Sequence, residues 1–188
     1  IGTHVEPLFY SMLAKAGMTK NDVEIVPARF DIAPFLAEGK DRVPVWNAYV
    51  YNEAQIPQEK GIELNMITPE SLGITRAGEG IFVKKDFAAK NPETIKRFLR
   101  ATAEGIRYAK EHQDEAISIL TSGNYGKDFD IPHQKRMLAA ASPLMFSNNG
   151  MPLVTDKELW RKTIETSFIE KPAKVPDVNE FVSDEFLK

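Results

Sequence analysis

Residues 1–67 alternate short apolar runs with short helical patterns in units of roughly 20 residues, and this rhythm narrows the fold more than any other feature of the chain. Ile1–His4 is an apolar opening that closes in Gly-Thr-His. Pro7–Ala16 carries Leu8, Met12, Leu13 and Ala16 at helical spacing, and Gly17 stands at the C′ position that stops such a helix. After an Asn21-Asp22 turn, Val23–Ala28 reads as a strand. Asp31 is placed to cap a short helix over Ile32–Glu38, with Pro34 in its tolerant first turn and Gly39 at its end. Val43–Trp46 is the next strand, where Pro44 marks an edge position or an irregular start. Ala54–Glu59 is a brief helix ended by Gly61, and Ile62–Ile67 is a further strand. The alternation predicts the α/β class, an open sheet with helices on its faces.

The second half obeys a different pattern. Thr68–Gly78, with Pro69, Ser71, Gly73 and Gly78, reads as a connection between lobes, and Gly80–Val83 as a short extended piece. Asn91-Pro92-Glu93 is a helix start, with Asn at the N-cap, Pro at the first position and an acid in the first turn. Ile95, Phe98, Leu99, Thr102, Ile106 and Ala109 then form one continuous stripe. Gln113–Thr121, His133–Ala141 and Asp156–Thr166 predict further helices. The tail, Lys171–Lys188, ends in Phe181, Val182, Phe186 and Leu187, apolar residues expected to dock. Amphipathic helices must bury their stripes. Either these pack on each other, or the sheet they cover lies outside this chain.

Composition removes several function classes. A net charge of −3 gives no reason to expect nucleic acid or an anionic membrane as partner. The absence of cysteine excludes disulfides, thiolate metal sites and a cysteine nucleophile. No apolar run approaches the ~18 residues of a membrane span. There is no Ser-His-Asp ordering around an elbow motif, no glycine-rich phosphate loop and no His-x-x-x-His pair. The expectation is therefore a protein that is not an enzyme and holds no cofactor and no metal. The chain opens at Ile1 without a methionine or a signal peptide, so processing or truncation upstream is expected.

One segment concentrates the chemistry of binding. Trp46–Glu53 (Trp-Asn-Ala-Tyr-Val-Tyr-Asn-Glu) follows a predicted strand and precedes a predicted helix. A strand end that pours aromatic and polar groups into a loop is where an α/β sheet presents a ligand site. The plain alternative is a surface turn with aromatic packing. Glu53 can accept N–H bonds from an amine-bearing ligand, or serve as a solvated acid at a helix start. Asn52 can bind ligand or cap the following helix. Tyr49, Tyr51 and Trp46 can supply a stacking wall for a planar ring, and alternation puts Tyr49 and Tyr51 on one face with Val50 opposed. Thr3 and His4 sit at the first strand end, where a hydroxyl and helix-start amides suit a carboxylate, sulfonate or carbonyl oxygen. Glu79 can reach the cleft from the connection between lobes. Arg29 is a counter-ion candidate for an acidic ligand, or an ordinary surface arginine. His112 and His133 read as surface helix residues.

An ordered set of segments resembles the substrate-binding proteins of ABC importers that handle thiamine pyrimidine precursors, taurine and alkanesulfonates. The set comprises Ile1–Gly17, Asp22–Pro27, Phe35–Asp41, Tyr49–Glu53, Asn65–Gly73 and Phe82–Glu111, the last being the most specific block. The resemblance implies a type II periplasmic-binding-protein-like fold. Residues 1–72 would form a complete α/β lobe, 73–84 the crossover or hinge, and 85–188 the helical C-terminal part of the other lobe. It further implies that most of the N-terminal lobe is missing from this chain, which would explain helices without a sheet. A small-molecule ligand in the interlobe cleft, an ABC permease as membrane partner and a periplasmic or membrane-anchored extracellular location follow from the same likeness. Two departures bear on the ligand. Ala54 replaces the proline of the family's Asn-Glu-Pro, and Ala77-Gly78-Glu79 stands where some members carry Tyr-Gly-Asp.

Two rival readings share these residues. An enzyme or ligand-sensing regulator can be built on the same fold. The biosynthetic branch that makes the thiamine pyrimidine relies on a cysteine-rich motif, which this chain lacks. A stand-alone interaction domain is the other rival. The unpaired helical stripe would also suit self-association or domain exchange.

Overall fold

The computed structural model describes residues 6–27, 31–39, 42–147, 150–167 and 176–187. Its helices are α1 (Glu6–Lys15), α2 (Ala33–Leu36), α3 (Gln55–Glu59), α4 (Lys85–Lys90), α5 (Pro92–Glu111), α6 (Gln113–Ser122), α7 (Ile131–Ala141) and α8 (Lys157–Ser167). Single 3-10 turns lie at Lys20–Asp22, Glu70–Leu72, Ser142–Met145, Val178–Glu180 and Glu185–Leu187. The chain divides into two units. The first comprises Ile1–Val43, Asn65–Phe82 and Thr155–Ser183, and the second Pro44–Leu64, Val83–Val154 and Asp184–Lys188.

In the first unit α1 packs against α8. The apolar face of α1 buries Leu13, while Ser11, also buried, donates its hydroxyl to the carbonyl of Pro7 at 2.8 Å, so its polar group is satisfied within the helix. Thr163 of α8 is buried and plays two roles. It accepts the backbone N–H of Ala77 at 2.6 Å and donates to the carbonyl of Leu159 at 2.7 Å. Gly80 passes close to Trp160, where an added Cβ would meet the indole ring at 3.1 Å. Ile32, Ile74 and Val182 complete the buried apolar set of this unit. Asp31 accepts the backbone N–H of Ala33 at 2.9 Å. The helix that follows is shorter than its pattern predicts, because Ala37 leaves it in an extended conformation. Thr19 and Asp22 form a reciprocal capping box, and the two hydrogen bonds from Thr19 hold the Asp22 carboxyl below its ordinary value.

In the second unit α6 packs between α5 and α7, and Ile117 of α6 is buried there. The Glu185–Leu187 turn lies on α5, so part of the tail does dock. Phe181 and Leu187 nevertheless remain exposed. Lys110 of α5 places its ammonium 4.0 Å from the centroid of the Phe146 ring. The Asn91 side chain does not cap α5. Its amide instead donates to the Phe87 carbonyl at 3.0 Å, the same carbonyl that accepts the Asn91 backbone N–H at 2.9 Å, because Asn91 also terminates α4.

The expected sheet is where sequence and structure part. Among the described residues no strand forms, and the one β-type contact is an isolated antiparallel bridge between Phe146 and Pro152. The runs 23–27, 43–46, 62–67 and 80–83 are irregular chain. Val26, Val45, Ile62, Met66, Ile67, Ile81, Phe82 and Val83 are exposed along them. A strand is completed by the backbone groups of a neighbour, and β-branched residues alone do not supply that neighbour. The described residues are thus helices and turns, and Ile1–His4, the expected first strand, falls outside them.

Candidate functional site

Four of the aromatic and polar candidates gather in one closed turn of the second unit. Tyr49–Ala54 folds back on itself. The backbone N–H groups of Asn52 and Ala54 both donate to the Tyr49 carbonyl, at 3.0 and 3.3 Å. The Glu53 carboxylate accepts the Tyr49 backbone N–H at 2.9 Å, and the Gln55 side chain donates to the Val50 carbonyl at 2.7 Å. Short polar side chains that bond their own backbone favour this geometry over an extended strand end. The rings of Tyr49 and Tyr51 stack with centroids 5.4 Å apart and planes 29° off parallel. Tyr49 is exposed, Tyr51 and Trp46 half-buried.

The turn runs directly into α3, whose start is anchored by buried Ala54 and buried Pro57. Gly61 follows the helix with φ of 73°, a left-handed conformation that favours glycine. Glu59, at the end of α3, receives the Arg136 guanidinium at 2.6 Å and the His133 ring at 3.0 Å, both on one carboxylate oxygen. The Arg136 bond, more than the His133 bond, holds the Glu59 carboxyl below its ordinary value. His133 and Arg136 stand one turn apart on α7, which places them on one helix face. Asp130 caps that helix by accepting the His133 backbone N–H at 3.0 Å.

The other nitrogen of His133 faces the side-chain oxygen of Asn52 at 3.1 Å. One imidazole therefore joins the aromatic turn, α3 and α7. The expectation of a surface helix residue fails for His133, whose side chain is 15% exposed. The i, i+3 spacing of His133 and Arg136 was visible in the sequence, but their partners lie 74 to 81 residues away and carry no local signal. His112 does sit at the surface, stacked on Tyr108 at 4.4 Å.

Glu79 is exposed and belongs to the first unit. Thr3, His4 and Arg29 lie outside the described residues. Among the described residues, no group of three or more histidine or carboxylate side chains is arranged to hold a metal ion. No helix among them is long and apolar enough to cross a membrane.

Chemically, the turn offers tyrosine π-faces next to a carboxylate. One Glu53 oxygen is taken by the backbone, and the other has no hydrogen-bond partner among the described residues. Glu59 is committed to Arg136 and His133, which makes it a structural anion rather than a ligand group.

Two characterised proteins align with nearly the whole chain. The riboflavin-binding protein RibY of Chloroflexus aurantiacus is 27% identical over 191 aligned positions, covering 95% of this chain and 52% of that protein. The formylaminopyrimidine-binding protein of Halalkalibacterium halodurans is 20% identical over 186, covering 95% of this chain and 56% of its own length. The chain thus spans about half the length of these relatives. Residues 2–116, more than half of the chain, match the sequence model described as NMT1/THI5 like, and the chain belongs to that family.

Proposed function

We propose that this chain is part of the solute-binding component of an ABC importer. It captures a small planar or amine-bearing molecule, of the thiamine-pyrimidine-precursor kind, and delivers it to a membrane permease from the periplasm or the outer face of the membrane. The observation that carries the reading is the stacked Tyr49–Tyr51 pair beside the Glu53 carboxylate. Aromatic faces select flat rings, and a carboxylate accepts the N–H groups of an aminopyrimidine. Riboflavin and formylaminopyrimidine, the ligands in the relatives' names, are both planar nitrogen heterocycles.

In this reading the fold is type II periplasmic-binding-protein-like. Residues 1–72 belong to one α/β lobe, 73–84 to the crossover and 85–188 to the helical part of the other lobe. The exposed apolar runs at 23–27, 43–46, 62–67 and 80–83 become strands when the remainder of a protein of the relatives' length supplies their neighbours. Trp46, Asn52, Thr3, His4 and Glu79 contribute to the same cleft.

Calorimetry on the full-length protein with riboflavin, formylaminopyrimidine and taurine tests this. A planar heterocycle should bind and taurine should not. Glu53→Gln should weaken formylaminopyrimidine by roughly 10- to 100-fold, the loss of a charge-assisted hydrogen bond. Binding of neither heterocycle, binding of taurine as tight as that of a heterocycle, or unchanged formylaminopyrimidine affinity in Glu53→Gln would overturn it.

A further inference from the structure

The cluster around His133 has a geometry that neither a helix cap nor a surface ion pair requires. Its ring nitrogens face Glu59 at 3.0 Å and Asn52 at 3.1 Å. A carboxylate oxygen only accepts, so the nitrogen facing Glu59 carries a proton. The nitrogen facing Asn52 then either donates to the amide oxygen as part of an imidazolium, or accepts from an amide turned to present its NH2. Both arrangements keep the bond to Asn52. The charged groups facing the imidazole are Glu59 at the end of α3 and Arg136 on α7, with Asp130 capping the same turn of α7.

Asn52 is also the residue whose backbone N–H closes the turn on the Tyr49 carbonyl, and whose carbonyl accepts the Gln55 N–H. Its side chain therefore links the closed turn to α7 across 81 residues of sequence. Glu59 does the same for the far end of α3 through His133 and Arg136. The tyrosine pair and Glu53 ride on the segment held between those two points.

We infer that His133 is a positioning residue: through Asn52 and Glu59 it fixes the Tyr49–Glu53 turn, and so sets affinity for a planar heterocyclic ligand that it does not itself touch. The ligand half of this inference rests on the function proposed above. The turn-holding half does not.

The test uses His133→Ala, Asn52→Ala and the double variant in the full-length protein. Amide hydrogen exchange reads the turn without any ligand. Each single variant should speed exchange of the amides at positions 52 and 54 roughly tenfold, the loss of the hydrogen bond that the two side chains share. The double variant should add little, because the two side chains act as one link. Additive effects, or unchanged exchange in a variant with native circular dichroism, would overturn the inference. A general loss of stability would instead speed exchange in α6 as well, and that pattern also counts against it. Titration with riboflavin and formylaminopyrimidine reads the ligand half. His133→Ala should weaken whichever of them the unsubstituted protein binds by a similar factor, and unchanged affinity despite faster exchange would overturn the link to binding. If the unsubstituted protein binds neither, the function proposed above fails, and the exchange pattern alone still decides whether His133 holds the turn.

Discussion

Helix α5 and the Tyr49–Glu59 segment are built on opposite principles. α5 runs for 20 residues with a continuous apolar stripe, the strongest periodic signal in the chain, yet none of its residues is buried. Phe98, in the middle of the stripe, is 57% exposed. The Tyr49–Glu59 segment has one five-residue helix and no such stripe, yet it buries Ala54 and Pro57 and is tied to α7 by Asn52, Glu59, His133 and Arg136. Periodicity says that a helix has a face to bury, and says nothing of whether the partner is present. Polar links across a long separation give a short segment a defined place that its propensity alone would not.

The sharpest way to break this contrast is to ask where the helical layer of the second unit takes its stability. Ile117 on α6 is 4% exposed. Ile117→Ala should cost about 3 kcal/mol, the transfer loss plus a cavity, measured by urea unfolding. A cost below about 1 kcal/mol would mean that this layer is not a packed core.

The polar link comes next. His133→Ala leaves Asn52 and Glu59 each short of a partner at a partly buried site and should lower the local opening free energy of the Tyr49–Ala54 turn by about 1.4 kcal/mol, read by amide exchange, without a matching loss in α6. Arg136→Gln sharpens the same point through pH. The Glu59 carboxyl is lowered in the folded protein, chiefly by Arg136. Its stabilising contribution is present above the ordinary carboxylate range and is lost as pH falls through the lowered folded value. The stability gap between the native protein and Arg136→Gln should therefore close on acidification, and the Glu59 titration followed by NMR should move up toward its ordinary midpoint in the variant. A gap that persists in acid would assign the role of Arg136 to packing of its stem rather than to charge.

Backbone geometry at the end of the segment gives a smaller effect. Gly61→Ala should cost about 1 kcal/mol, since φ of 73° strains a residue with a Cβ. The smallest effect is expected on α5 itself. Phe98→Ser in this chain should change stability by less than about 0.5 kcal/mol, as for other exposed positions. The same substitution in a protein of the relatives' full length should cost several times more if the stripe is covered there. Equal small costs in both would leave the stripe without a role in packing.

Much of the helical skeleton was legible in the sequence because its causes are local. Gly17 after α1, Pro92 at the start of α5 and Gly61 after α3 act within one turn of chain, and each marks a boundary in the structure to within a residue or two. Asp31, expected as the cap of α2, does accept the backbone N–H of Ala33, but Ile32 stands at the N-cap position. Asn91 does not give α5 the side-chain cap that its position predicts, because two helices share it and the side chain can serve only one of them.

The candidate turn was half legible. That Trp46–Glu53 collects aromatics, amides and a carboxylate is a fact of the sequence alone. That the segment closes into a turn, with Glu53 accepting from Tyr49, follows from contacts four residues apart and was within reach of local reasoning. What only the tertiary structure decided is the alliance of Asn52 and Glu59 with His133 and Arg136, and the absence of a ladder along Val43–Trp46 and Ile62–Ile67. Both outcomes have one physical reason. Hydrogen bonds between segments 74 or more residues apart, like those between strands, depend on which distant backbone or side chain arrives, and residue type at one position cannot specify the other.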